Sequence, residues 1–266
     1  MSHTLEVNQI SLTPSNKHQI PFVFIHGSYA NSKSWKKITE RLANNRECFT
    51  VDLPGHGGTA EPNDLEAPDL RPEFARLNEM LDGKIDPKIG VHLVGHSFGG
   101  VVALAATMAK IVPVKKLTLF ETVDVSVLEV FGMDAAMNKV NEFVVQFKEA
   151  YNNDEDYACA RVIDFWGGQG SFEAIPQYIQ QQMITMTQNN IRHWELIKNN
   201  AKPQAAYQSL NIPVNLVYGS KSNMVAKTIS KTLHQHFPNS SLFEINGASH
   251  FMITTHTDEC VEIIKE

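Results

Sequence analysis

The chain has 266 residues, 42% of them apolar, which is enough for one large α/β domain with or without an inserted cap. Its 29 acidic residues outnumber the 23 basic ones, and the net charge of −6 argues against a nucleic-acid partner, which calls for a basic face. No run of about 18 apolar residues offers a membrane span, Met1 to Ile10 lacks the regions of a signal peptide, and three scattered cysteines (Cys48, Cys159, Cys260) read as reduced thiols of a cytoplasmic protein, not as a disulfide framework or zinc site.

In chain order, Leu5 to Leu12 alternates apolar and polar residues and reads as an opening hairpin. Ile20 to Ile25 is apolar throughout, as a strand buried on both faces should be, and it ends in His26-Gly27-Ser28. Asn31 to Asn45 reads as a helix with Trp35, Ile38 and Leu42 on one face. Cys48 to Val51 is the next buried strand, ending in the turn-rich Asp52-Leu53-Pro54-Gly55-His56-Gly57-Gly58. Asn63 to Arg71 is a loop and Pro72 to Leu81 a helix. Further strands are expected at Val91 to Val94, Lys116 to Glu121, Val214 to Gly219 and Leu242 to Ile245. The last two helices are expected at Ala226 to Phe237 and Asp258 to Ile264.

About 90 residues separate Glu121 from Val214, too many for one βα crossover. This insert is rich in helical periodicity, at Asp134 to Tyr151, Glu155 to Phe165, Pro176 to Thr187 and Ile191 to Lys198. It divides the chain into a core of residues 1–122 and 210–266 and a helical cap or lid of residues 123–209. Alternating strands and helices imply a mostly parallel sheet covered on both faces, with a ligand site at the carboxyl ends of its strands.

One such strand end carries the chemistry. The apolar run Val91-His92-Leu93-Val94 meets Gly95-His96-Ser97-Phe98-Gly99, and a helix former from Val101 to Ala109 follows at once. Gly-x-Ser-x-Gly between strand and helix is the pattern of a nucleophile elbow, with Ser97 strained at its apex. A serine capping an ordinary glycine turn is the bland alternative. A serine hydroxyl needs a base, and His250, in Asn246-Gly247-Ala248-Ser249-His250 after the last strand, is the first choice. His256 is its rival, His96 should point away from the elbow, and His26 and His56 sit in turns as structural hydrogen-bonders. The base in turn needs a carboxylate. The loop after Tyr218 has none, so Glu121 is the first choice, with Asp124 second and Asn223 a neutral orienter. Backbone N–H groups of Phe98 and Ser28 are placed to hold an oxyanion. No metal-ligand spacing, phosphate loop or dinucleotide fingerprint is present, so no metal and no cofactor is implied.

Phe24-Ile25-His26-Gly27, Asp52 to Gly57, Gly95 to Gly100 and Gly247-Ala248-Ser249-His250 match, in order, the landmarks of the α/β-hydrolase superfamily, which the chain resembles over nearly its whole length. The resemblance implies an eight-stranded, mostly parallel sheet with an inserted helical cap and the chain order Ser, acid, His. Its usual acid is an aspartate after the seventh strand, where this chain has Asn223 or Ser222. Some members, certain haloalkane dehalogenases among them, place the acid after the sixth strand instead. Glu121, 24 residues beyond Ser97, has a similar spacing.

The expected function is therefore a serine hydrolase that cleaves a small or medium carboxylic ester through an acyl-enzyme. A C–C bond hydrolase and a non-catalytic binder of small ligands on the same scaffold are the alternatives. Phe165, Trp166 and Trp194 of the insert are candidate walls of an apolar substrate pocket. Gly167, Gly168 and Gly170 are candidate hinges for a lid.

Overall fold

The computed structural model of the protein describes residues 19–44, 46–62, 64 and 67–266. The expected opening hairpin lies outside them. Six strands form one sheet: β1 (Phe22–Ile25), β2 (Cys48–Val51), β3 (Val91–His96), β4 (Val114–Phe120), β5 (Val214–Gly219) and β6 (Ser240–Ile245). Their order is β2-β1-β3-β4-β5-β6, and every pairing is parallel. The sheet thus has two strands fewer than the eight expected, among the described residues.

Alternation along each strand builds two cores. Val23, Ile25, Leu93, Leu117 and Leu119 face one side, where α2 (Arg71–Leu81), α3 (Phe98–Met108) and α10 (Met224–His236) cover them. Phe22, Phe24, Val94, Phe120 and Val217 face the other, against α1 (Lys36–Leu42) and α12 (Thr257–Lys265). Burial on both faces is why these strands are near-continuous apolar runs.

Between β4 and β5 the chain forms α4 (Ser126–Val130), α5 (Asp134–Asn152), α6 (Ala158–Gly167), α7 (Gln177–Thr185), α8 (Thr187–Asn199) and α9 (Gln204–Gln208). A short α11 (Met252–Thr255) follows β6. The sequence reading anticipates neither α4, α9 nor α11, which have too few residues to display a 3.6-residue period. The expected helix over Asn31–Asn45 opens instead as a 3₁₀ turn at Ser32–Trp35, capped by the Asn31 side chain.

The connection β1 to β2 runs outward on one side, and the next strand, β3, returns to the other side of β1. The carboxyl ends of β1 and β3 therefore flank a topological switch point, where open α/β sheets leave a crevice.

Candidate active site

Ser97 sits at that crevice with φ 56° and ψ −125°, a conformation that L-residues rarely adopt. Its N–H donates to Phe120 O at 3.1 Å, and its carbonyl accepts from Gly100 N–H at 2.9 Å. The turn is tight enough that a Cβ on Gly95 would come within 2.5 Å of Gly99 O. The loop after β1 is equally close, since a Cβ on Gly27 would lie 2.8 Å from Ser97 Cβ. Glycine at both positions is what lets three backbone segments converge on one serine. Phe98 opens α3, so its N–H has no acceptor within the helix, and Ser28 follows Gly27 in the facing loop.

Glu121 is the first residue beyond β4 and also has a positive φ, 41°. Its N–H still donates to Val217 O at 2.9 Å, so the strand's ladder continues up to the residue that turns out of it. The carboxylate is fully buried. Oε1 accepts from Gly219 N–H at 2.7 Å and from the Ser222 hydroxyl, while Oε2 lies 2.8 Å from His250 Nδ1. Ser222, one of the two residues where the superfamily's usual acid is expected, thus holds the Glu121 carboxylate of the neighbouring strand.

His250 is held from several sides. His96 Nε2–H donates to its carbonyl at 2.8 Å, and the indole of Trp166 stacks on its ring at 5.5 Å and 26°. Burial pushes the His96 pKa down to about 3, so that ring stays neutral and serves as a fixed donor. His96 does not lead away from the site, as the sequence suggested. Its ring lies 4.9 Å from that of His250 and borders the same cavity.

The other candidates are engaged elsewhere. Asp124 accepts from the Ser126 hydroxyl at 2.5 Å, and burial raises its pKa to about 6. Asn223 caps α10 by accepting from Ala226 N–H at 2.8 Å and donates to Phe165 O at 2.6 Å. His256 pairs with the Thr255 hydroxyl at 2.8 Å. His26 donates from Nδ1 to Gly27 O at 2.8 Å and accepts from Leu53 N–H at 3.0 Å, which ties the loop after β1 to the loop after β2. His56 donates to Pro54 O at 2.9 Å. Both have the structural roles expected of them.

Ser97, Ser28, Phe98 and His250 share the wall of one cavity of about 500 Å³. Trp166 and Trp194 line it too, but Phe165 does not. Phe165 stacks on Phe143 at 4.1 Å, because successive residues of α6 point about 100° apart and Trp166, with Val162 and Ile163, faces the cavity. No aspartate, glutamate, lysine or arginine is among the residues that line the cavity. Gly167 packs against Phe251, while Gly168 and Gly170 take positive φ values of 102° and 82° beyond the end of α6.

The sequence reading missed His193 of α8, which is buried on the cavity wall with Nδ1 2.7 Å from Ser28 Oγ. It lies mid-helix, outside the strand-end loops that carry the other candidates.

The profile of the alpha/beta hydrolase family matches residues 22–263. The chain belongs to that family. Among curated relatives, protein phosphatase methylesterase 1 of Mus musculus is 31% identical over 126 residues, covering 46% of this chain and 31% of that protein. The chain thus matches about a third of the methylesterase's length. Ethanol acetyltransferase 1 of Hanseniaspora uvarum is 23% identical over 272 residues, covering 92% of this chain and 78% of that one. Two solved structures share the fold. MenH from S. aureus has a TM-score of 0.73 at 19% identity, covering 98% of this chain and 97% of that one. The esterase of Exiguobacterium antarcticum has 0.70 at 17%, covering 98% and 95%. Among the described residues no helix is long and apolar enough to cross a membrane.

Proposed function

We propose that this member of the family hydrolyses a neutral, apolar carboxylic ester through an acyl-enzyme on Ser97. In this reading His250 Nε2 takes the Ser97 hydroxyl proton as Oγ attacks the carbonyl carbon. The carbonyl oxygen becomes an oxyanion held by the N–H groups of Phe98 and Ser28. As the tetrahedral species collapses, His250 passes the proton to the departing alkoxide. A water then repeats the sequence and frees the acid. Glu121 fixes the proton on Nδ1, which leaves Nε2 as the base. Residues 123–209 act as the cap that closes the cavity over the core of residues 1–122 and 210–266.

The observation that carries this reading is the hydrogen bond between the buried Glu121 and His250, which shares with Ser97 the wall of one cavity that no charged residue lines. The lack of charge also bears on the C–C hydrolase alternative, which calls for a cation to bind a second carboxylate of its substrate. A buried carboxylate without such a partner is costly, so a neutral substrate fits better. The similarity to an acetyltransferase adds a variant of the same chemistry, in which an alcohol replaces water in the second step.

The test is a panel of p-nitrophenyl esters from acetate to dodecanoate, together with fluorophosphonate labelling read by intact mass, on wild type and Ser97→Ala. Ser97-dependent turnover and labelling are expected, and ethanol added to the assay reports how the acyl group partitions between water and alcohol. A folded wild type that is neither labelled nor active overturns the proposal in favour of a ligand binder.

A further inference from the structure

We propose that His193 is a positioning residue for the oxyanion site. Its Nδ1–H holds Ser28 Oγ so that the Ser28 hydroxyl proton becomes a third donor to the oxyanion. The inference rests on the serine-hydrolase reading above.

The geometry begins with the 2.7 Å approach of His193 Nδ1 to Ser28 Oγ on the wall that carries Ser97. Either atom can donate, and the other ring nitrogen decides which does. His193 Nε2 is buried and has no hydrogen-bond partner among the described residues. With the proton on Nε2, the interior would hold an orphaned N–H. With the proton on Nδ1, it holds only an unused lone pair. Orphaned N–H groups are the rarer in protein interiors, so Nδ1–H donates and Ser28 Oγ accepts. The Ser28 hydroxyl proton is then free to turn into the cavity, whose wall Ser28 shares with Ser97. Because Nε2 is shielded, His193 acts through Ser28 and not on the substrate.

The ring is fixed in place. Its face lies on Phe98 at 3.7 Å and 10°, and His56 stacks at 5.4 Å and 12°. Burial, with His56, Arg192 and His26 nearby, depresses its pKa well below the usual value, so one ring nitrogen stays bare at working pH.

The helix beneath it is pinned by its neighbours. Arg192, also fully buried, bonds Glu73 of α2 at 2.5 Å and Asp64 at 2.6 Å. Asn189 donates to Pro54 O at 2.9 Å. The segment between β4 and β5 therefore contributes to the oxyanion site through a helix anchored to the core, and the third donor is in place before substrate arrives.

The experiment compares Ser28→Ala, His193→Phe, His193→Asn and the double variant S28A/H193F on a p-nitrophenyl ester. Phenylalanine keeps the stack on Phe98 and removes the donor, whereas asparagine puts an amide N–H near the Nδ1 position. Losing one oxyanion donor should lower kcat about 10²-fold with KM little changed. We expect that loss in S28A and in H193F, no further loss in the double variant, and recovery in H193N. Affinity for a trifluoromethyl ketone should fall in parallel with kcat/KM. An unchanged kcat in H193F, or losses that multiply in the double variant, overturns the proposal. Should H193F not fold, ¹⁵N NMR of wild-type imidazoles decides: Nδ1 protonated supports the proposal and Nε2 protonated overturns it. Absence of any Ser97-dependent turnover would instead sink the underlying serine-hydrolase reading and this inference with it.

Discussion

Glu121 Oε2 meets His250 Nδ1 at 2.8 Å across 129 positions of sequence, from the strand next to the one where the superfamily usually keeps its acid. Its other oxygen takes two donors from the end of β5 and the loop beyond it, Gly219 N–H and the Ser222 hydroxyl. The Glu121 carboxylate thus accepts three hydrogen bonds. The loop after β5 helps to hold it and, from Gly219 to Asn223, offers no carboxylate of its own.

Glu121→Gln tests that arrangement. The amide oxygen can still accept from Gly219 and Ser222, which turns the NH₂ toward His250 and forces the imidazole proton onto Nε2. The base is then in the wrong tautomer, and kcat should fall about 10⁴-fold. The volume and the buried bonds persist, so the melting temperature should move little. Ester hydrolysis and calorimetry on the same preparation check both halves, and near-normal turnover would remove Glu121 from the mechanism.

Adding Asn223→Asp to Glu121→Gln should not restore activity. Asn223 points at Phe165 O and Ala226 N–H, away from His250. Aspartate keeps the helix cap but sets a carboxylate oxygen against the Phe165 carbonyl, so a stability loss of about 1–2 kcal/mol is expected. Urea unfolding measures the loss, and rescue of turnover above the E121Q level would show that the acid can be supplied from either strand.

The parts of this site that could be read in the sequence all lie at strand ends. Ser97 is framed by glycines that a tight turn requires, Glu121 closes the apolar run of β4, and His250 stands on the loop just after β6. His193 carries no such mark: it sits mid-helix, and only tertiary packing of α8 brings it to Ser28. Phe165 and Trp166 are equivalent in composition, and which of them faces the cavity depends on how α6 is rotated against the sheet. The centre of the sheet is legible because β1, β3 and β5 are buried on both faces. The four- and five-residue helices are not, because their local pattern is shorter than two turns.

Acid should unfold the protein early. Burial lowers the pKa of His26, His92 and His96 to about 3 each, so all three fold as neutral rings. Between pH 6.5 and 3 the unfolded chain binds more protons than the folded one, and stability falls as pH falls. At pH 5 each histidine costs about 2 kcal/mol, and the three together about 6. That is a large share of the ~5–15 kcal/mol that holds a typical domain folded. Tryptophan fluorescence should therefore show a cooperative transition near pH 4–5, and His92→Gln, which keeps a partner for Thr118, should move it to lower pH. A fold that persists at pH 3 would contradict the burial of these neutral rings.

Asp124 works with the opposite sign. Burial raises its pKa from 3.8 to about 6, and the Ser126 hydroxyl offsets only part of that effect. The folded state therefore binds the extra proton between these values, and stability falls as pH rises through them, by about 3 kcal/mol at pH 7. Asparagine keeps an acceptor for Ser126 and carries no charge to desolvate. Asp124→Asn should accordingly match wild type near pH 4 and exceed it by about 2–3 kcal/mol at pH 7, in paired urea titrations at the two pH values. Because Asp124 bonds Ser126 and not His250, ester turnover should be unchanged. A variant less stable than wild type at pH 7 would mean that the carboxylate has a partner which outweighs its burial, and loss of turnover would return Asp124 to the list of candidate acids.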